Sequence, residues 1–204
     1  MRRLRSSLCG LATAALLVAP ASGAAQESTT RGFNLGLHAS GASLKLENQD
    51  RNQAGGAGIR VGYGLNRSFT LFLQLDGAHF DDQAARELEG DWTLGHVEVG
   101  ARYHFANSLR SWVPYLQGGL GYRVVGVADA ELDGAQRDEV ELSGTGLSLG
   151  GGIAVYLTPS VALDLGLLWT GGEFSTLRVE NVEVSGFDID ASSTRVNLGV
   201  SWWP

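Results

Sequence analysis

Apolar and polar residues alternate with a period of two along most of this chain, and that period limits the fold more than any other feature. In the first such segment, residues 33–40, the odd positions are apolar and the even positions are polar or glycine. Side chains of a β-strand point alternately to its two faces, whereas an amphipathic helix repeats about every 3.6 residues. The pattern therefore predicts strands and no long helix beyond the N-terminal segment. It recurs in residues 59–65, 69–76, 96–105, 115–124, 147–157, 161–170 and 195–202, which gives eight strands.

The connections between these strands alternate in length. Three are short, at residues 66–68, 106–111 and 158–160, and four are long and mostly polar, at residues 43–54, 81–91, 129–142 and 171–192. Up-and-down transmembrane barrels have short turns at one end and longer loops at the other. The rhythm predicts an all-β protein, an eight-stranded antiparallel up-and-down transmembrane β-barrel.

The composition of the less apolar face of the strands indicates which side of the barrel contacts lipid. A soluble lipocalin-like barrel also alternates, but with its apolar face inward. Here the polar face is rich in glycine and carries charges of both signs, which suits the crowded interior of a narrow barrel, where opposite charges can pair away from lipid. We therefore predict a lumen charge network formed by Arg60, Asp76, Glu98, Arg102, Arg123, Asp164 and Arg195.

Aromatic residues gather near the short connections. Amphipathic rings favour the boundary between membrane and water, where they form girdles around transmembrane barrels. The sequence predicts interface positions for Phe69, Tyr103, Phe105, Trp112 and Tyr156.

The first 25 residues have the pattern of a secretory signal peptide. Arg2, Arg3 and Arg5 precede a short apolar stretch at residues 8–19, and small residues follow. We predict a signal peptide at 1–25 and a barrel domain at 26–204. Removing three arginines takes the formal net charge from −7 to −10, which argues against a nucleic-acid partner. Cys9 is the only cysteine, so the mature chain must fold without disulfides.

Three segments resemble a known family. Residues 112–122, WVPYLQGGLGY, resemble a strand motif of small outer-membrane barrels, and residues 99–105, VGARYHF, resemble the end of the preceding strand. Near the end, Asn197, Gly199 and Trp202 match the barrel-assembly signal, although its last position is Pro204 and not an aromatic residue. The chain resembles the OmpA/OmpX-like superfamily of eight-stranded barrels of Gram-negative bacteria. The resemblance implies an outer-membrane location, with lipopolysaccharide, outer-membrane lipid and the barrel-assembly machinery as partners.

Candidate chemistry in the sequence is sparse. His38 and Ser40 form an H-x-S triplet, which in lipid A deacylases of this barrel class acts with a Glu on the lipid-facing surface. In this chain the alternation turns both residues into the lumen and the sequence offers no clear acidic neighbour, so we predict that they fill the lumen. The same parity assigns His96 and His104 to a lumen hydrogen-bond network. No catalytic residue, metal ligand or cofactor is expected.

The long connections are acidic. Residues 129–134 resemble the start of a calcium loop, but Val140 stands where its closing acidic ligand is needed, so we interpret them as an acidic surface loop that leaves divalent cations as candidate ligands. The predicted function is a non-enzymatic, structural or surface-interaction role carried by acidic extracellular loops. A narrow, porin-like pore for small solutes stays open as an alternative, and a lipid A-modifying enzyme is favoured less.

Overall fold

Eight antiparallel strands close into a single barrel in the order β1 to β8. The computed structural model describes residues 30–46, 52–80, 91–105, 111–132, 136–179 and 182–204, so the predicted signal peptide lies outside the described residues. No helix long and apolar enough to cross a membrane occurs in those ranges. The strands are β1 (Gly32–Leu46), β2 (Asn52–Gly64), β3 (Phe69–Phe80), β4 (Asp91–His104), β5 (Trp112–Leu132), β6 (Gln136–Tyr156), β7 (Val161–Val179) and β8 (Val182–Trp202).

The first and last strands complete the barrel by pairing with each other. Their register runs from Leu35 opposite Trp202 to Leu46 opposite Ala191. In hydrocarbon, every backbone N–H and C=O group needs a partner within the protein, and a closed sheet supplies one for each. The predicted eight-stranded antiparallel barrel is confirmed.

The short turns are confirmed where the structure describes them. Between β2 and β3, the backbone N–H of Leu65 donates to the Phe69 carbonyl (2.9 Å), and Asn66 Oδ1 accepts the N–H groups of Ser68 (2.8 Å) and Phe69 (2.9 Å). Between β6 and β7, Thr158 Oγ1 accepts the Val161 N–H at 3.0 Å. Residues 106–110 lie outside the described residues. We call this the turn end, and the opposite end the loop end.

The predicted long connections are wrong in three of four places, because the strands run much further. Residues 129–132 and 136–142 belong to β5 and β6, residues 171–179 and 182–192 belong to β7 and β8, and β1 and β2 leave only residues 47–51 between them. Strand pairing is a backbone interaction and does not require apolar side chains, so polar strands that rise above the apolar zone lose the alternation signal. Residues 81–90 lie outside the described residues.

Strands β5 to β8 extend beyond β1 to β4 at the loop end. The pairing of β4 with β5 stops at Asp91 opposite Ala128, whereas β5 continues to Leu132, and β7 and β8 remain paired up to Val179 opposite Val182. Irregularities in register interrupt the pairings of β5 with β6, β6 with β7 and β7 with β8, within this extension or at its base. Gly186 has a φ of 97°, a conformation that favours glycine, inside the irregular part of β8. We call these four extended strands the protrusion.

The two faces of the wall differ as predicted. Outward side chains include Leu120, which is 70% exposed, and Val99, which is 63% exposed, and together they form an apolar belt. The inward side chains are buried and largely polar in the middle of the barrel. Apolar clusters lie at the two ends of this interior: Val113, Ala154, Tyr156, Ala162 and Trp203 at the turn end, and Ala42, Ala54, Ala78, Leu94, Val125, Phe174 and Ala191 at the loop end.

Candidate functional site in the barrel lumen

The seven charged residues assigned to the lumen from sequence all have buried side chains inside the barrel. They come from six strands and reach the centre because each occupies an inward-facing position of its strand, at even numbers on β2, β3, β4 and β7 and at odd numbers on β5 and β8. The structure brings six of them together in two groups, one around Asp164 and one around Asp76, and places the seventh, Arg123, above them.

Asp164 on β7 collects two arginines at the turn-end side of the lumen. Arg60 donates from Nη2 to Asp164 Oδ2 at 3.1 Å, and Arg102 donates from Nη1 to the same oxygen at 2.6 Å. The Tyr115 hydroxyl donates to the other oxygen, Oδ1, at 2.6 Å. Two cations thus share one carboxylate, and neither arginine has a second acidic partner among the described residues.

Both arginines make further hydrogen bonds. Arg102 donates to Gln117 Oε1 from Nη2 at 2.6 Å and from Nε at 3.1 Å, and its guanidinium lies 3.6 Å from the centroid of the Tyr115 ring. Arg60 donates to Ser201 Oγ at 2.9 Å. Because buried charges are tolerated only when they are paired and hydrogen-bonded, these bonds help the group to exist in the interior.

Asp76 on β3 centres the second group. His38 Nε2 donates to Asp76 Oδ1 at 2.6 Å, Gln74 donates to both carboxylate oxygens (3.2 and 3.0 Å), and Arg195 Nη1 donates to Oδ2. Arg195 also donates from Nη2 to Glu98 Oε2 at 3.2 Å and from Nη1 to His96 Nδ1 at 2.7 Å. Arg195 therefore links two carboxylates, the converse of the arrangement at Asp164.

Arg123 differs from the other lumen arginines. Its side chain is 1% exposed, Nη2 donates to the Ala191 carbonyl at 3.4 Å, and its guanidinium lies 5.0 Å from the Phe174 ring centroid. None of the ion pairs between described residues includes it, and Nε and Nη1 have no hydrogen-bond partner among those residues. The predicted network thus contains six members in ionic contact and one beneath the loop-end apolar cluster.

Inward-facing glycines provide the space that these side chains occupy. A Cβ atom at Gly58 would lie 2.3 Å from Asp76 Oδ1 and 2.5 Å from His38 Nε2, so the contact between β1 and β3 crosses β2 above this glycine. A Cβ at Gly152 would lie 2.5 Å from the Tyr115 hydroxyl oxygen. From sequence, these glycines were identified only as part of a glycine-rich face. Alternation does not show which side chains meet above a given glycine.

The H-x-S triplet faces the lumen as predicted, with His38 and Ser40 both 8% exposed. The structure does supply the acidic neighbour that the sequence did not reveal, since Asp76 lies two strands away from His38. His104 contacts Thr70 Oγ1 at 3.2 Å and not the acidic groups. Within the described ranges, no group of three or more His, Cys, Asp or Glu side chains is arranged to hold a metal ion.

The aromatic prediction is wrong for Tyr156. Phe69, Tyr103, Phe105 and Trp112 are 40–48% exposed on the outer wall near the turn end, and Tyr103 makes edge contacts with both phenylalanines (5.1 and 5.0 Å). Tyr156 is 3% exposed because its even position on β6 turns it inward. There it lies 5.6 Å from Trp203, which is 2% exposed and which sequence analysis missed.

Sequence analysis also missed an outer aromatic pair at the same end. Phe33 and Tyr63 meet edge to face on neighbouring strands, with their ring centroids 5.6 Å apart. Both were assigned to the apolar face by the alternation, but the pairing of β1 with β2 was needed to bring them together. They extend the aromatic band around the wall.

The residues of the assembly signal lie on the strand that closes the barrel. Asn197 is 5% exposed and faces inward, whereas Trp202 is 47% exposed on the outer wall. The calcium-like segment does not form a loop of the length that such a site needs, because Ala130 pairs with Asp138 and Leu132 pairs with Gln136.

We predict that filling the space above β2 destabilises the barrel. Gly58→Ala should lower the free energy of unfolding by about 1–3 kcal/mol, because its methyl group collides with Asp76 and His38. A Cβ at Gly55 on the same strand has nothing within 4 Å, so Gly55→Ala should change the free energy of unfolding by less than about 0.5 kcal/mol. Urea unfolding of the refolded barrel in detergent measures both, and equal effects would contradict this role for Gly58.

We also predict that Asp164 contributes more to the free energy of unfolding than an exposed acidic residue does. Asp164→Asn should cost about 3–5 kcal/mol, because Arg60 and Arg102 are left as buried cations without a carboxylate. Asp190→Asn, on an exposed side chain of β8, is the matched control and should change the unfolding free energy by about 0.5 kcal/mol or less. The same urea titration tests this, and a loss at Asp164 no larger than at Asp190 would refute the pairing.

Solved structures share this architecture. Neisserial surface protein A is 21% identical, with a TM-score of 0.62, over 84% of this chain and 96% of that chain. OprG from Pseudomonas aeruginosa is 12% identical, with a TM-score of 0.56, over 87% of this chain and 98% of that chain. Ail, the attachment invasion locus protein of Yersinia pestis, is 13% identical, with a TM-score of 0.54, over 84% and 99%. At these low sequence identities, the structural likeness shows a shared fold alone.

No curated protein sequence matches the chain. The family model described as "Outer membrane protein beta-barrel domain" matches residues 11–202, which span nearly the whole sequence. The chain therefore belongs to the family of outer membrane protein β-barrel domains.

Proposed function

We propose that this chain is an integral protein of the Gram-negative outer membrane, exported by its N-terminal signal peptide, that acts as a non-enzymatic surface-interaction scaffold. The carrying observation is the combination of a lumen filled with ion pairs and a protrusion in which residues 182–190 of β8 have no described strand on one side. The first feature argues against transport through the barrel, and the second offers a surface on which a partner can dock. Lipopolysaccharide and its bridging divalent cations would surround the base of this protrusion.

The packing of the lumen supports a closed barrel over a narrow pore. Between the two apolar clusters, the side chains of Arg102, Glu98, Gln74 and Arg195 are all 4% exposed or less. Moving an ion past them requires breaking charge pairs in a region of low dielectric, where such pairs interact strongly. The H-x-S triplet lies inside this same interior, which supports a non-enzymatic reading over lipid A chemistry.

The open edge belongs to β8. Its pairing with β1 stops at Ala191, so residues 182–190 have β7 on one side and no described strand on the other. Val184 on this edge is 51% exposed.

The charge of the loop end indicates the kind of partner. Segments 41–57, 77–95, 124–146 and 171–192 together contain 18 acidic and five basic residues. Sheet edges bind extended segments through main-chain hydrogen bonds, while side chains select among them. A basic, extended polypeptide segment fits both features. Ail has been solved in complex with a heparin analogue, sucrose octasulfate, but a polyanion would be repelled by the acidic loop end of this chain.

Conductance measurements in a planar lipid bilayer distinguish a closed scaffold from a pore. We predict that the purified barrel shows no steady single-channel conductance, because the ion pairs and apolar clusters fill its lumen. Incorporation is verified by the shift in gel mobility between unboiled and boiled protein recovered from the bilayers. A steady conductance from folded barrels would favour the narrow-pore alternative.

Shortening one hairpin tests the docking edge. Replacing residues 177–184 by Asn-Gly should join Thr176 to Ser185, which are paired, and remove the outer part of the edge. We predict that a fluorescent peptide of alternating lysine and valine then binds at least about tenfold more weakly, as measured by anisotropy, since the outer part of its strand partner is gone.

A second truncation is the matched control. Replacing residues 131–137 by Asn-Gly joins the paired Ala130 and Asp138, and like the first truncation it removes two acidic residues and one arginine. Binding to this variant should stay within about twofold of the parent. If both truncations weaken binding equally, the peptide recognises negative charge alone and the edge has no role.

A further inference from the structure

The turn end has the opposite charge pattern from the loop end. Segments 30–36, 62–71, 101–117, 153–164 and 199–204 contain four arginines, and their only acidic residue is Asp164, which lies in the lumen. Arg31 and Arg67 bring positive charge to the outer rim of this end. A rim of this kind complements the phosphates of the leaflet that surrounds it.

Two of these arginines flank a depression beside the aromatic band. The depression has a volume of about 560 Å³ and is lined by Arg31, Asn66, Arg67, Ser68, Phe69 and Tyr103. Both arginines are exposed. The Phe69 and Tyr103 rings, 45% and 40% exposed, form its wall on the outer, lipid-facing side of the barrel.

Local hydrogen bonds hold the two sides of the depression in place. Thr30 is buried, and its Oγ1 donates to the Arg67 carbonyl at 2.6 Å, which fixes the segment before β1 against the turn between β2 and β3. A Cβ at Gly64 would lie 1.7 Å from the Thr30 carbonyl oxygen, so this close approach requires glycine. Arg31 and Arg67 are thereby anchored by rigid elements on either side of the same space.

We propose that this depression binds an anionic phospholipid of the surrounding leaflet. Its phosphate would lie between Arg31 and Arg67, and an acyl chain would run along Phe69 and Tyr103. Arginine presents a planar set of donors that suits phosphate oxygens. A free phosphate would use the arginines but not the apolar wall, whereas a lipid uses both. This site is distinct from the docking edge at the loop end.

Native mass spectrometry of the folded barrel, titrated with phosphatidylglycerol or phosphatidylcholine, tests the proposal. The parent should bind one phosphatidylglycerol molecule in preference to phosphatidylcholine. Arg31→Gln/Arg67→Gln should weaken that binding about 25-fold, or about fivefold for each arginine removed near the lipid surface. Arg137→Gln/Arg178→Gln makes the same charge change at the loop end and should leave it within about twofold.

Four results would overturn the proposal. Equal binding of the two lipids by the parent would remove the headgroup preference, and equal loss in the two double variants would assign the effect to net charge. Displacement of the lipid by millimolar sn-glycerol 3-phosphate would show that the site takes a soluble phosphate. Thr30→Val, which keeps every charge but removes the bond to Arg67, should weaken binding two- to fivefold, and an unchanged affinity would contradict the two-sided site.

Discussion

Hydrocarbon offers no hydrogen-bond partner to a peptide group, and the rest of this structure follows from that absence. Pairing β1 with β8 removes the edges that an open sheet would expose to lipid. Once the sheet is closed, alternate side chains must face either lipid or a narrow interior. The apolar set meets lipid, so the polar set is confined to a space in which each charge needs a partner.

The two ionic groups pair their buried charges in complementary ways. At Asp164 one carboxylate is shared by Arg60 and Arg102, and at Arg195 one guanidinium is shared by two carboxylates, Asp76 and Glu98. The Asp164 group has one more formal positive than negative charge, and the Asp76 group has one more negative than positive charge. Side chains such as Gln117 and Gln74 add hydrogen bonds to the two groups. The barrel interior thus acts as its core, although it is built from polar residues.

Much of this arrangement was predictable from alternation alone. The strand count, the inward direction of all seven charged residues and the outward direction of residues such as Val99 follow from parity, which a regular strand preserves along its whole length. Parity does not say which charges meet. The contact between His38 and Asp76 spans three strands and depends on Gly58, and the length of the protrusion depends on backbone pairing between polar residues such as Glu131 and Arg137. Tyr156 was misassigned because proximity to a turn was given more weight than its position on the strand.

The direction of the two faces is tested most directly by spin labels on the outer wall. Single cysteines replacing Val99, Leu120, Leu165 and Leu198, on β4, β5, β7 and β8 of a Cys9→Ser background, would carry nitroxides at positions that are 51–70% exposed. In bilayers, all four labels should collide more often with molecular oxygen, which concentrates in acyl chains, than with a water-soluble nickel complex. Higher collision rates with the nickel complex at these positions would place the apolar wall in water and contradict a lipid-facing barrel.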